Sequence, residues 1–239
     1  AAGCLQAAAE RTVPFFDTSR PDKVIALGLR AGMNSSGVAT NYMDKQPELI
    51  QSNFYWHSGV QVGAIADLSI RKFLAIEVGL FWERHGYDAA MMAAEEDYMG
   101  SQFTRVRYND IHIPVLMSWR FNILPQAVWS VDLGPYFSYG LSGTKKADSY
   151  IAFGEEDGQL VFDHNISNQK YFKADPKDFL AVNRFDAGLK EGTGLAFFSH
   201  YTISVYYQRS VKNNAKDFDG GADYRLRNCS WSVNIGYNF

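Results

Sequence analysis

The side chains that could do chemistry in this chain are its five histidines, its scattered carboxylates and two short motifs. His57, His85, His112, His164 and His200 show no HxH or HExxH spacing, so they are too dispersed to read as a metal site. His57 stands beside Ser58, a base next to a nucleophile, but adjacent strand residues point to opposite faces and cannot share a proton. Asp217-Phe-Asp-Gly-Gly-Ala-Asp223 offers carboxylates to calcium, yet its spacing departs from the EF-hand loop and a solvated turn accounts for it. No glycine-rich phosphate loop separates a strand from a helix, and a net charge of −3 gives no basic field for nucleic acid. The expectation is a chain with no catalytic residue, no cofactor and no metal. What remains is a set of opposite charges on one strand register: Arg30, Asp67, Glu77, Glu83, Arg120, Asp132 and Asp186, joined by Lys190. Buried charges need partners, so this set reads as a hydrogen-bonded polar interior; a narrow gated pore or proton path is the functional alternative.

The elements that must carry these residues are strands. Trp231, Val233, Ile235, Tyr237 and Phe239 alternate with Ser232, Asn234, Gly236 and Asn238, giving one greasy face and one small, polar face. The same period of two recurs over 25–34, 56–68, 74–85, 111–120, 129–141, 185–195 and 201–210. Glycines and charges share one register while Val, Leu and Trp hold the other, the reverse of what a soluble lipocalin-like barrel needs. Connections alternate in length: short at 71–72, 122–126 and 199–200, long and polar at 35–53, 86–107, 143–182 and 212–225. Trp119, Phe121, Trp129, Tyr237 and Phe239 gather at the short-turn end, and Trp56, Trp82, Tyr139 and Tyr207 at the other, as two interfacial belts would. No run approaches the roughly 18 apolar residues of a membrane helix, which strands of about 10 residues do not need.

The pattern predicts an all-β, eight-stranded antiparallel up-and-down transmembrane β-barrel. It has short periplasmic turns, long extracellular loops and both termini periplasmic. Residues 23–239 form the barrel domain, and 1–22 a residual signal or periplasmic lead-in. Ala1-Ala-Gly-Cys4 resembles the end of a lipobox, but Ala7-Ala8-Ala9 reads better as a signal-peptidase site. Three features strain the barrel. Pro114 and Pro135 remove ladder donors inside strands. Glu191 falls on the lipid-facing register, unless a bulge at Lys190-Glu191 turns both charges inward.

A strand ending on an aromatic resembles the C-terminal signal of Gram-negative outer-membrane barrels, so Trp231, Val233, Ile235, Tyr237 and Phe239 are expected to be read by the barrel-assembly machinery. The segment Tyr108-Asn-Asp-Ile-His-Ile-Pro-Val-Leu-Met-Ser-Trp-Arg-Phe121 resembles a strand of the PorT-like outer-membrane barrel family of Bacteroidetes-type bacteria. Leu27-Gly-Leu-Arg-Ala-Gly-Met-Asn34, Gly134-Pro-Tyr136 and Asn183-Arg-Phe-Asp-Ala-Gly188 are similar to it as well, and the resemblance spans about 23–239. It implies an integral protein of the bacterial outer membrane, in contact with lipid and lipopolysaccharide. Its namesake's link to the type IX secretion route implies an accessory role beside other envelope proteins. A pore or transporter and a lipid-modifying enzyme are the alternatives. In the longest connection, Tyr150, Phe153, Phe162, Tyr171 and Phe172 form a candidate partner loop, or else pack together as a lid over the barrel mouth. Within it, Glu155-Glu-Asp-Gly158 between two apolar runs reads as a hairpin that continues strands beyond the membrane.

Overall fold

A computed structural model describes residues 13–41, 49–95, 98–156, 159–174, 180–216 and 224–239. Cys4, the alanine run at 7–9 and the 217–223 carboxylates lie outside them. Nine strands follow in order: β1 (Ile25–Thr40), β2 (Leu49–Arg71), β3 (Leu74–Glu95), β4 (Tyr98–Leu124), β5 (Ala127–Glu156), β6 (Gln159–Lys170), β7 (Phe185–Phe197), β8 (Tyr201–Ser210) and β9 (Leu226–Asn238). Every pairing is antiparallel, and β9 closes on β1 to seal a ring of eight strands, with β6 outside the ring on the far half of β5. Closure leaves the ring no free edge, as a membrane with no water to satisfy edge groups requires. No described helix is long and apolar enough to cross a membrane.

The alternation read from the sequence sets which side faces out. In β1, Ile25, Leu27, Leu29, Ala31 and Met33 are exposed, while Gly28, Arg30 and Asn34 are buried. The other barrel strands repeat the scheme, so large apolar side chains cover the outside and the interior is mostly polar. Such an apolar exterior is far beyond what a water-soluble monomer exposes, and lipid is the solvent that it suits. Both expected belts face outward. Phe121 packs on Trp129 at 5.3 Å at the short-turn end, and Tyr207 on Trp231 at 4.8 Å at the other.

Four details differ from the sequence reading or complete it. The segments 86–107 and 143–182 are not mainly loops, because β3 runs on to Glu95, β4 starts at Tyr98 and β5 reaches Glu156. These extensions stand in water, where neither face must be greasy, so they carry no clean alternation to read. The hairpin expected around Glu155 is formed by β5 and β6, with Phe153 opposite Val161 and Glu156 opposite Gln159; Asp157 and Gly158 of its turn lie outside the described residues. Pro114 interrupts the β3–β4 ladder and Pro135 the β4–β5 ladder, neither changing the register on either side. The bulge at Lys190-Glu191 does not occur: Lys190 pairs with Gly134 and Gln208, Glu191 with Leu133 and Tyr207, in unbroken register. Lys190 is buried inside and Glu191 is exposed on the outer wall, six residues from Phe185 and from Phe197 at the strand ends.

Residues 13–24 run along the short turns. Phe15 stacks on Phe121 at 5.2 Å and Phe16 on Phe73 at 4.3 Å, while Asn122 donates its backbone N–H to the Phe15 carbonyl at 2.9 Å. Lys72 lies 3.3 Å from Asp22 and 4.0 Å from Asp17, whose carboxyl is held below its usual range by hydrogen bonds from Ser19.

Candidate functional site: a filled lumen under an aromatic lid

The lumen is packed in tiers. Nearest the short turns, Arg120 pairs with Asp67 and donates to Ser69 Oγ at 3.2 Å, and Ser69 in turn donates to Asp67 at 2.9 Å. Asp132 accepts from Tyr206 at 3.0 Å and from Ser130 at 3.3 Å, and Arg30 reaches Glu77 at 4.0 Å. Above these, Gln61 of β2 donates over Gly32 of β1 to Asn234 of β9. Lys190 extends between the rings of Phe81 and Tyr206, 5.6 and 5.3 Å from their centroids, to within 3.9 Å of Glu83. Higher again, Asp186 accepts from Ser210 at 2.6 Å and Asn228 at 3.0 Å. All seven charged residues expected on the inward register lie there, and Lys190 joins them; each meets a partner of opposite charge or a hydrogen-bond donor. An eight-stranded ring is only wide enough for side chains to fill. This one is filled by groups whose desolvation is offset by pairing.

Small residues let strands and side chains approach this closely. A Cβ at Gly236 would meet Arg30 Cδ at 2.4 Å, and one at Gly140 would meet Phe172 Cζ at 2.1 Å.

That Phe172 belongs to the second layer of closure. The 3₁₀ turn Tyr171–Lys173 folds back over the mouth at the long-loop end, burying Tyr171 and Phe172. Tyr171 Oη is 3.1 Å from Tyr87 Oη, and its ring stacks on Tyr108 at 5.4 Å. Phe172 sets its edge to Tyr108 at 5.9 Å and carries the Arg184 guanidinium at 5.2 Å. Met91, Val106, Leu180, Val182 and Leu226 complete this apolar cluster. Burial pushes the Tyr171 phenol above its ordinary pKa, so the hydrogen bond to Tyr87 persists across the accessible pH range.

The candidate partner loop is thereby divided. Tyr171 and Phe172 are the lid and offer no outer surface. Tyr150 and Phe162 are exposed on the β5–β6 hairpin, with Tyr150 stacked on His164 at 4.2 Å. Phe153 pairs in the same ladder, its side chain lying outside the described residues. Of the five terminal residues singled out, Trp231, Val233, Ile235, Tyr237 and Phe239 all face outward, and Phe239 donates its N–H to the Leu27 carbonyl at 2.9 Å. His57 and Ser58 project to different sides as expected: His57 is partly covered and Ser58 exposed.

The spacing of histidines concealed one grouping. His85 on β3 and His112 on β4 both point inward, beside Glu83 and Asp110, which face each other directly across the β3–β4 ladder. The available signal was register: residues 83, 85, 110 and 112 alternate on the polar faces of adjacent strands, but only the pairing shows that the faces meet at that height.

A closed antiparallel ring with a greasy exterior, a polar packed interior and long extensions at one end defines an outer-membrane β-barrel. The chain belongs to the family described as "Outer membrane protein beta-barrel domain", which matches residues 12–216. No curated protein matches it. Similar solved structures include OprG from Pseudomonas aeruginosa, 10% identical over 95% of this chain and 99% of that one, with a TM-score of 0.45. Another is Ail, the attachment invasion locus protein of Yersinia pestis, 14% identical over 90% and 98%, with a TM-score of 0.36. Neisserial surface protein A is 10% identical over 89% and 97%, with a TM-score of 0.34.

Proposed function

We propose that this barrel is a structural or accessory subunit of an outer-membrane assembly, with its short turns and both termini in the periplasm and its long extensions outside the cell. The observation that carries this reading is the β5–β6 hairpin. Phe162 and Ile166 are 75% and 69% exposed on it, beyond the belt marked by Tyr139, and β6 pairs on one side only. Large apolar side chains on an unpaired strand edge in water favour a partner that adds a strand or covers the face. The filled lumen and the lid count against a pore, and among the described residues no catalytic constellation supports a lipid-modifying enzyme. A link to type IX-like secretion rests on the resemblance of the 108–121 strand to the PorT-like family.

Photo-crosslinking amino acids placed at Phe162 and Ile166 in native membranes should give discrete adducts, and the same probe at buried Tyr171 should give none. Absence of adducts at both exposed positions would remove the hairpin from the interface. Replacing 149–165 by a two-residue Asn-Gly turn is the matching deletion, because it spares the lid.

The C-terminal strand carries a separate expectation. Phe239 acts in assembly, so deleting it should lower the amount of heat-modifiable, folded barrel in the outer membrane several-fold. Unchanged folded levels would show that assembly does not read this residue.

A further inference from the structure

We propose that Glu83, His85 and Asp110, with His112 beside them, form an internal binding site for one divalent transition-metal ion of the zinc class, clamping β3 to β4 inside the barrel. Glu83 and Asp110 are directly opposite across the ladder and both buried, a like-charge pair that destabilises a sheet unless a cation sits between. One donor atom from each of Glu83, His85 and Asp110 falls within a 4.8 Å cluster. His85 Nε2 is 2.8 Å from Glu83 Oε2 and 3.6 Å from Asp110 Oδ1. Tetrahedral ligands held at zinc's bond lengths stand about 3.3 Å from one another, so these separations bracket the value that a bound ion would impose.

A second observation is independent of that cluster. His112 is almost wholly buried, and its Nε2 has no hydrogen-bond partner within the protein; the same holds for Asp110 Oδ1. His85, Asp110 and His112 line one small cavity, with room for about one water molecule or a bare ion. One imidazole nitrogen and two carboxylate oxygens, with a fourth position left for water, suit zinc, and cobalt as its spectroscopic substitute, better than calcium or magnesium, which prefer all-oxygen sets. The lid lies over the cavity mouth, so the ion would load while the barrel folds.

The test uses the full chain, untagged, refolded in detergent with excess Co²⁺ or Zn²⁺ and then freed of loose metal on a weak chelating resin. Wild type should retain about one metal per barrel, with the visible absorption of tetrahedral Co²⁺. The double variant His85→Gln, Asp110→Asn should retain at least tenfold less, since even loss of a supporting partner outside the ligand set costs 10–100-fold in affinity. His164→Gln, on an exposed histidine of the hairpin, should retain as much as wild type. Should the double variant not fold, wild type refolded with Zn²⁺ or with chelator decides: the zinc form should lose its unheated gel mobility at a higher temperature. Metal retention equal in wild type and double variant, or identical melting with zinc and chelator, overturns the site.

Discussion

Replacing Arg120 with alanine should lower the stability of the folded barrel by about 3 kcal/mol, the lower end of the range for removing one partner of a buried ion pair. The lower end applies because 24% of the Arg120 side chain still meets solvent at the short-turn mouth. The loss arises mainly from what stays behind. Asp67 keeps its hydrogen bond from Ser69 but loses the guanidinium that pairs with it inside the barrel. Equilibrium unfolding in urea from detergent or lipid vesicles measures the change, as a fall in midpoint with an unchanged slope. The double variant Arg120→Met, Asp67→Leu removes both charges together and should recover most of the loss. A single variant within about 0.5 kcal/mol of wild type would show that the pair is ornamental, since that is the scatter of ordinary surface changes. A double variant less stable than the single would show that the tier depends on more than this pair.

The fold was legible because lipid imposes one rule on every strand. Ile25, Leu27 and Leu29 must be greasy and Gly28 and Arg30 must not, so register could be read strand by strand before any pairing was known. Glu191 shows how firm that rule is. Its place on the outer register looked like grounds for a bulge, yet the ladder holds and the carboxylate stays outside. Legibility fails where the rule stops. Beyond the belts β4 and β5 continue as strands of 27 and 30 residues in water, and nothing in their polar sequence separates strand from loop. Seven inward charges and Lys190 could be named, Asp110 was missed, and none could be matched, because matching needs the offset between strands: that Glu83 meets Asp110, or that Lys190 reaches Glu83, depends on shear around the ring. Which of the loop aromatics form the lid was equally hidden. Tyr171 and Phe172 look the same in sequence as Tyr150 and Phe162, and only the backbone's return to Tyr108 separates a plug from a surface.

That separation leads to the other large expected effect. Changing Tyr171 and Phe172 together to alanine removes two aromatic side chains from the cluster formed with Tyr87, Tyr108 and Leu226. Each such truncation in a packed core costs about 3–5 kcal/mol. The turn that carries them follows β6, outside the ring of eight strands, so the cost should appear as local release and not as global unfolding. Proteolysis near residue 173 should accelerate at least a hundredfold while the unheated gel mobility of the barrel is kept. Conductance distinguishes the two layers of closure. In planar bilayers the wild type should show no steady current, and the lid variant should show none either. Below the lid, Lys190 of β7 still reaches Glu83 of β3, and the Gln61–Asn234 and Arg120–Asp67 pairs still fill the lumen at other heights. An ion would have to displace those pairs in turn, each held more strongly than its equivalent in water. A stable current from the lid variant alone would mean that the aromatics were the seal and that the polar tiers part readily. The accessory reading would then give way to a gated pore whose gate is the turn at Tyr171.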